Sequence, residues 1–192
     1  MRARIKEVGM CLFAAHGYRG VSMREIADAV GVSKAGLYYH FRDKESLFLA
    51  ILTTELLQLE SAIEQARQQG ETAREQVRLL MRTLFAQGQT HQTMIRLASQ
   101  EMRQVSPAAR AEFGRLYHEK FIGQVETILR TGIDRGELKP LNPTLITWML
   151  LGMAYPFLQT SQEGEQTADS TENLIEEMIC VFFDGVAASK HG

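Results

Sequence analysis

The stretch Ser22-Met-Arg-Glu-Ile-Ala-Asp-Ala-Val-Gly31-Val-Ser33-Lys-Ala-Gly-Leu-Tyr-Tyr-His-Phe41-Arg-Asp-Lys44 reads as two short helices around a tight turn, followed by the start of a third. Ser22 stands three residues before Glu25, the spacing of a capping box. Its hydroxyl can accept from the N–H of Glu25 while the Glu25 carboxylate accepts from the N–H of Ser22. Val21 and Ile26 are placed to pack across that cap as a hydrophobic staple. Met23, Ile26, Ala27 and Val30 share one face. Gly31 can take positive φ and stop the helix. Ser33 then caps a second helix from Lys34 to about His40, with Leu37 and Phe41 facing in and Lys34, Ala35, Tyr38 and Tyr39 facing out.

Helix, glycine turn, helix is the shape that lays a recognition helix into the major groove of DNA. The outward face suits that task. Ser33 and the N–H groups at the helix start can hold a phosphate. Lys34 can reach a base edge or a phosphate, and Ala35 and Gly36 permit close approach. The bare pattern leaves a second reading open: a three-helix packing unit with no ligand, its tyrosines part-buried.

Gly36-Leu-Tyr-Tyr-His-Phe41 with Lys44 after it and Ile26-Ala27 and Val30-Gly31-Val32-Ser33 before it resembles the DNA-binding domain of the TetR family of bacterial regulators. Phe13-Ala-Ala-His-Gly-Tyr-Arg-Gly-Val-Ser22 extends the resemblance, which covers about Ile5 to Leu49 without a gap. Beyond Leu49 only the helix layout is shared. The resemblance implies that Lys34, Ala35 and Tyr38 face bases, and that Ser22, Ser33, Tyr39, His40 and Lys44 hold phosphates. Alanine at position 35 can read only an apolar surface such as a thymine methyl.

Charge is distributed to match. Residues 1–48 hold eight Lys or Arg against five acids, while the remainder holds thirteen against eighteen. A basic head on an acidic body fits a DNA-binding module, 1–48, joined to an effector-binding and dimerisation domain, 49–192. The excess in the head is modest, so two heads acting together are expected. The chain has 192 residues, 45% of them hydrophobic and 23% charged, enough for one large or two small globular domains. No apolar run reads as bilayer-spanning and no charged-then-apolar leader opens the chain, so a cytoplasmic protein with no membrane partner is expected. Cys11 and Cys180 lie in apolar helical patterns and read as buried thiols.

The fold class is all-α, with about nine helices. The first runs from near Arg2 to His16 on the stripe Ile5, Val8, Gly9, Leu12, Phe13. Asp43 can cap a long helix carrying Leu47, Phe48, Ile51, Leu52, Leu56, Leu59 and Ile63, without Gly or Pro until Gly70. Such a helix is either a rod that transmits a shift between domains or a strut. Thr72 and Glu75 form a second capping box. Further helices follow, one around Met94 to Met102, one carrying Phe113 to Leu129, one from Pro143 that Pro156 should kink or end, and a last one from Leu174 to Val186.

Two surfaces beyond residue 49 are candidates. Met81, Phe85, Met94, Leu97, Met102, Phe113, Tyr117 and Phe121 offer aromatic and thioether surface for an apolar effector, or are plain core. The resemblance implies that some of them line a cavity. Trp148, Met149, Gly152, Met178 and Phe182 could form a four-helix interface with a second copy, or pack within one chain. Enzyme motifs are absent from the sequence: no His-Glu-x-x-His, no Gly-x-Gly, no phosphate-binding Gly-Lys-Ser/Thr loop, no Gly-x-Ser-x-Gly. His118 and Glu119, adjacent on a helix, point about 100° apart, and with His91 they give no convincing metal or proton-transfer site. No cofactor, catalytic residue or metal is expected. The resulting expectation is a ligand-responsive transcriptional regulator, by family default a repressor, that binds a palindromic operator as a homodimer and is released by a small apolar effector.

Overall fold

Runs of helix-forming residues, several opened by Ser, Asp or Pro and some closed by Gly, produce the all-α fold of the described residues. The structure is a computed structural model that describes residues 1–86, 98, 100–159 and 168–186. No strand element occurs among them. In order they form α1 (Arg2–His16), α2 (Met23–Val30), α3 (Lys34–His40), α4 (Lys44–Gln69), α5 (Ala73–Ala86), a 3-10 turn (Met102–Gln104), α6 (Pro107–Tyr117), a π turn (His118–Ile122), α7 (Gly123–Asp134), α8 (Pro143–Gln159) and α9 (Ala168–Val186). The expected helix around Met94 lies largely outside the described residues.

The chain divides into two compact units. The first comprises residues 1–57 and the described part of 88–116. Its core is built on Ile5, Phe13, Ile26, Leu37, Leu47, Phe48 and Ile51, all essentially solvent-free. Phe13, Tyr18 and Phe48 meet as a ring cluster, with Phe13 edge-on to Phe48 at 5.3 Å and Tyr18 at 4.8 Å from Phe48. Val105, far away in sequence, is buried in the same core. At Gly9, α1 comes so close to α4 that an added Cβ would sit 3.2 Å from Ile51 Cδ1. Val8 and Leu12, expected on the buried stripe, are only half-buried against this core.

Asp43 caps α4 as expected: its Oδ1 accepts from the Ser46 N–H at 2.7 Å. That bond holds its carboxyl below the usual range. By length and composition α4 could cross a bilayer, which the sequence reading did not anticipate. Its apolar stripe, Leu47 through Ile63, is instead buried against protein, as in the core helix of a globular unit.

The second unit comprises residues 58–87 and the described part of 117–192. Val77, Leu80, Met81 and Leu84 of α5 are buried, and α5 packs against α7 and α9. Thr72 and Glu75 exchange the two bonds of the second capping box. Three arginines spaced four residues apart on α5 meet acids running the opposite way along α9. Arg74 meets Asp184 at 3.3 Å, Arg78 meets Glu176 at 2.8 Å, and Arg82 meets Glu172. Pairs this exposed contribute little stability one by one, but their spacing favours a single register of the two helices. Glu137 accepts from the first N–H of α5, at Ala73, over 2.7 Å, and Lys139 donates to the Gly185 carbonyl near the end of α9.

Three expectations need correction. Pro156, expected to kink or end its helix, does not end it: α8 continues to Gln159. The helix from Phe113 to Leu129 is not uniform, because a π turn at His118–Ile122 interrupts it. Both cysteines are exposed; Cys11 lies on the outer face of α1, and Cys180 donates its S–H to Asp184 at 3.0 Å.

Candidate nucleic-acid interface

The turn between α2 and α3 is built locally. The Ser22 N–H donates to Glu25 Oε2 at 2.7 Å, and the Glu25 N–H donates to Ser22 Oγ at 3.2 Å, so both arms of the capping box are present. The Ser22 hydroxyl, and after it the Ser22 N–H, hold the Glu25 carboxyl below its ordinary range. Gly31 takes the left-handed conformation, φ 78°, ψ 35°, and its N–H closes α2 onto Ala27 and Asp28. Ser33 Oγ then accepts from the Gly36 N–H at 3.0 Å and starts α3.

α3 has seven residues and buries only Leu37, with Phe41 buried just beyond it. Two apolar anchors therefore fix the helix and leave its remaining faces outward. Ser33, Lys34 and Ala35 are exposed, and Gly36 and His40 are half-buried. Tyr38 is 42% exposed and Tyr39 86% exposed. A tyrosine so open leaves a large ring in water, a surface suited to a partner with both apolar and polar features. The Lys34 ammonium lies 5.9 Å from the Tyr38 ring centre, and Tyr39 meets His40 edge-on at 5.2 Å.

Lys44 is placed differently from these. Its ammonium turns inward, 4.5 Å over the Tyr18 ring, and donates to the carbonyls of Tyr18 and Val21, both at 2.8 Å. Partial burial lowers the pKa of its amine. An ammonium has three donors, so Lys44 braces the loop between α1 and α2 and keeps one N–H for another acceptor. Of the cations at the start of α1, Arg2 lies 4.6 Å over the Phe41 ring and Lys6 donates to Thr54. Neither meets a negative charge in these contacts. Ser22, Tyr38 and Lys44 line a shallow cleft together with Arg19, Glu25 and Asp43. Arg19 was not singled out in the sequence, where nothing distinguishes it from any loop arginine.

The candidate effector residues are divided between the units. Met102 and Phe113 are half-buried against the core of the first unit. Met81 and Phe121 are buried in the second unit, and Phe85 and Tyr117 are half-buried there. Met94, Leu97 and His91 lie outside the described residues. Burial, with Tyr155 nearby, pushes the Tyr117 phenol up to about 12, and its ring lies 5.5 Å from that of Phe121. Of the candidate interface residues, Trp148, Met149 and Gly152 are exposed on α8, whereas Met178 and Phe182 of α9 are buried inside their own unit. The apolar pattern of α9 serves that core, which the sequence could not separate from an external contact.

Residues 5–51 match the family described as "Bacterial regulatory proteins, tetR family", and residues 58–179 match "Tetracyclin repressor-like, C-terminal domain". The chain is similar to the HTH-type transcriptional repressor AcnR of Corynebacterium glutamicum, with 29% identity over 182 residues, 91% of this chain and 87% of that protein. Among solved structures, the ketosteroid transcriptional regulator KstR2 of Mycobacterium tuberculosis shares the fold with a TM-score of 0.78 at 18% identity, covering 98% of this chain and 95% of that one. AibR, solved in complex with isovaleryl coenzyme A and operator DNA, aligns with a TM-score of 0.74 at 26% identity over 95% of this chain and 98% of that one.

Proposed function

We propose, for a chain that belongs to the TetR family of bacterial regulatory proteins, a cytoplasmic repressor that binds a palindromic operator as a homodimer and leaves it when a small apolar effector binds. The observation that carries this reading is the exposed face of α3, where Lys34, Ala35, Tyr38 and Tyr39 stand outward around one buried leucine. Residues 1–48 are assigned to DNA and residues 49–192 to effector binding and dimerisation. Two recognition helices about 34–36 Å apart would meet successive major grooves of one duplex face.

Lys34, Ala35 and Tyr38 are assigned to base edges, with Gly36 allowing close approach. Ser22, Ser33, Tyr39 and His40 are assigned to phosphates, as is the remaining N–H of Lys44. AcnR is a repressor, which supports repression, and AibR was solved with isovaleryl coenzyme A and operator DNA, which supports a regulator that answers to a small molecule. An effector that favours a dimer with wrongly spaced heads weakens DNA binding, and the operator must weaken effector binding by the same factor.

The test is a gel shift against the DNA upstream of the gene itself, with competing duplex of unrelated sequence. Lys34→Ala and Tyr38→Ala should each lose preference for the operator, by about 1–3 kcal/mol for a lost base contact. If both variants discriminate like wild type, α3 is not the reading element. Lys44→Ala should bind every sequence more weakly, with a salt slope smaller by about 0.9 for each bound subunit. It should also melt earlier, because two loop carbonyls lose their donor. A lower melting point with an unchanged slope would leave Lys44 a brace only.

A further inference from the structure

Arg19 is held by a residue 85 positions away. Its Nε–H and an Nη2–H converge on Gln104 Oε1, at 2.8 and 2.5 Å. The backbone on either side of Gln104 is held at several points. Val105, next to it, is buried in the core of the first unit. The Ser106 N–H and hydroxyl donate to the two oxygens of Glu45, at 2.7 and 2.9 Å. Arg110 donates to the carbonyls of Arg103 and Val105. The acceptor that orients Arg19 is thus anchored in the same unit as the recognition helix.

The chemistry of that contact decides its purpose. An amide oxygen is neutral, so it directs the guanidinium without cancelling its charge. Arginine carries five N–H donors in a planar fork, and two of them are used here. The other three remain on an exposed side chain that lines the same cleft as Ser22, Tyr38 and Lys44. A glutamate at position 104 would have made an ion pair and hidden the charge; glutamine aims the fork and leaves it positive.

We propose that Arg19 is a DNA-backbone contact and that Gln104 is the positioning residue that presents its guanidinium to a phosphate. The inference rests on the DNA-binding reading above and adds to it a site that the helix-turn-helix residues do not include.

The experiment measures affinity of the full-length protein for a duplex of arbitrary sequence across a range of salt, with a thermal melt of each variant. Arg19→Ala should lower affinity roughly ten-fold at low salt and reduce the slope of log affinity against log salt by about 0.9 for each bound subunit. Arg19→Lys should keep the slope and lose only affinity, because charge remains while the fork is gone. Gln104→Glu should reproduce most of the slope loss of Arg19→Ala at an unchanged melting point, an outcome that a merely structural role would not give. Gln104→Ala should keep the slope and weaken binding a few-fold. Wild-type slope in Arg19→Ala, or tighter binding in Gln104→Ala, would overturn the proposal. A wild-type protein that binds no duplex would sink the parent reading as well, whereas DNA binding with an Arg19-independent slope sinks this one alone.

Discussion

Trp148→Arg is expected to break the homodimer proposed above, so that it sediments as a monomer, and to lose operator affinity about 100-fold or more. The argument starts from α8, which is apolar on two sides. Ile146, Leu150, Ala154 and Leu158 are buried in their own unit. On the other side Leu145, Trp148, Met149 and Gly152 recur at helical spacing and are exposed, with Trp148 at 55% and Met149 at 52%. A cluster of large apolar side chains in water marks an interaction surface. A Cβ built on Gly152 meets nothing within 4 Å, so a second helix can approach the backbone there. In the proposed homodimer a two-fold axis would bring the same patch from each copy, so every substitution would be made twice. A tryptophan at the centre of such a patch contributes about 2 kcal/mol or more, and two buried unpaired guanidinium groups add their desolvation cost. Together these exceed about 4 kcal/mol, roughly a thousand-fold in dimer affinity. Single heads then bind without the gain from linkage, itself about 10²–10⁴. An intact dimer in sedimentation would move the interface off this face.

How much of this was legible beforehand depends on the range of each interaction. Ser22 with Glu25, Gly31, Ser33 with Gly36 and Asp43 with Ser46 are contacts between residues a few positions apart, and the sequence spells them directly. The α4 stripe was also readable, because helical periodicity repeated over many turns leaves little ambiguity. What escaped is long-range. Nothing local says that Val105 enters the core of the first unit, that Glu45 caps α6 through Ser106, or that Gln104 reaches Arg19. Lys44 shows the same limit: the family resemblance implies a phosphate contact for it, but not the Tyr18 and Val21 carbonyls that hold it. On α9 the apolar pattern correctly marked Met178 and Phe182 as needing cover, while hydrophobicity alone could not say that their own unit supplies it. Cys11 and Cys180 failed for the converse reason. Each sits among apolar neighbours in sequence but on the outward arc of its helix, and a single small residue carries too little information to fix the phase.

Phe48→Ala is expected to destabilise the first unit by about 3–5 kcal/mol, against a total stability that for most domains is only about 5–15 kcal/mol. Phe48 is 0% exposed, so truncation opens a void that the neighbours must fill. Those neighbours are stiff: the Phe13 ring stands edge-on at 5.3 Å and Tyr18 lies at 4.8 Å, each pair contributing about 0.5–1.5 kcal/mol beyond area burial. The damage does not stop at the core. Tyr18 supplies one of the two carbonyls that hold Lys44, and its ring lies under that ammonium. A Tyr18 that drops into the void loosens the loop leading to Ser22, and with it the start of α2. DNA binding should therefore fall together with the melting point, although Phe48 is far too buried to touch DNA itself. The matched control is Leu57→Ala on the same helix. Leu57 is 50% exposed, and its removal should shift stability by about 0.5 kcal/mol or less. Thermal melts that place the two variants side by side would contradict this account of what holds the recognition helix in position.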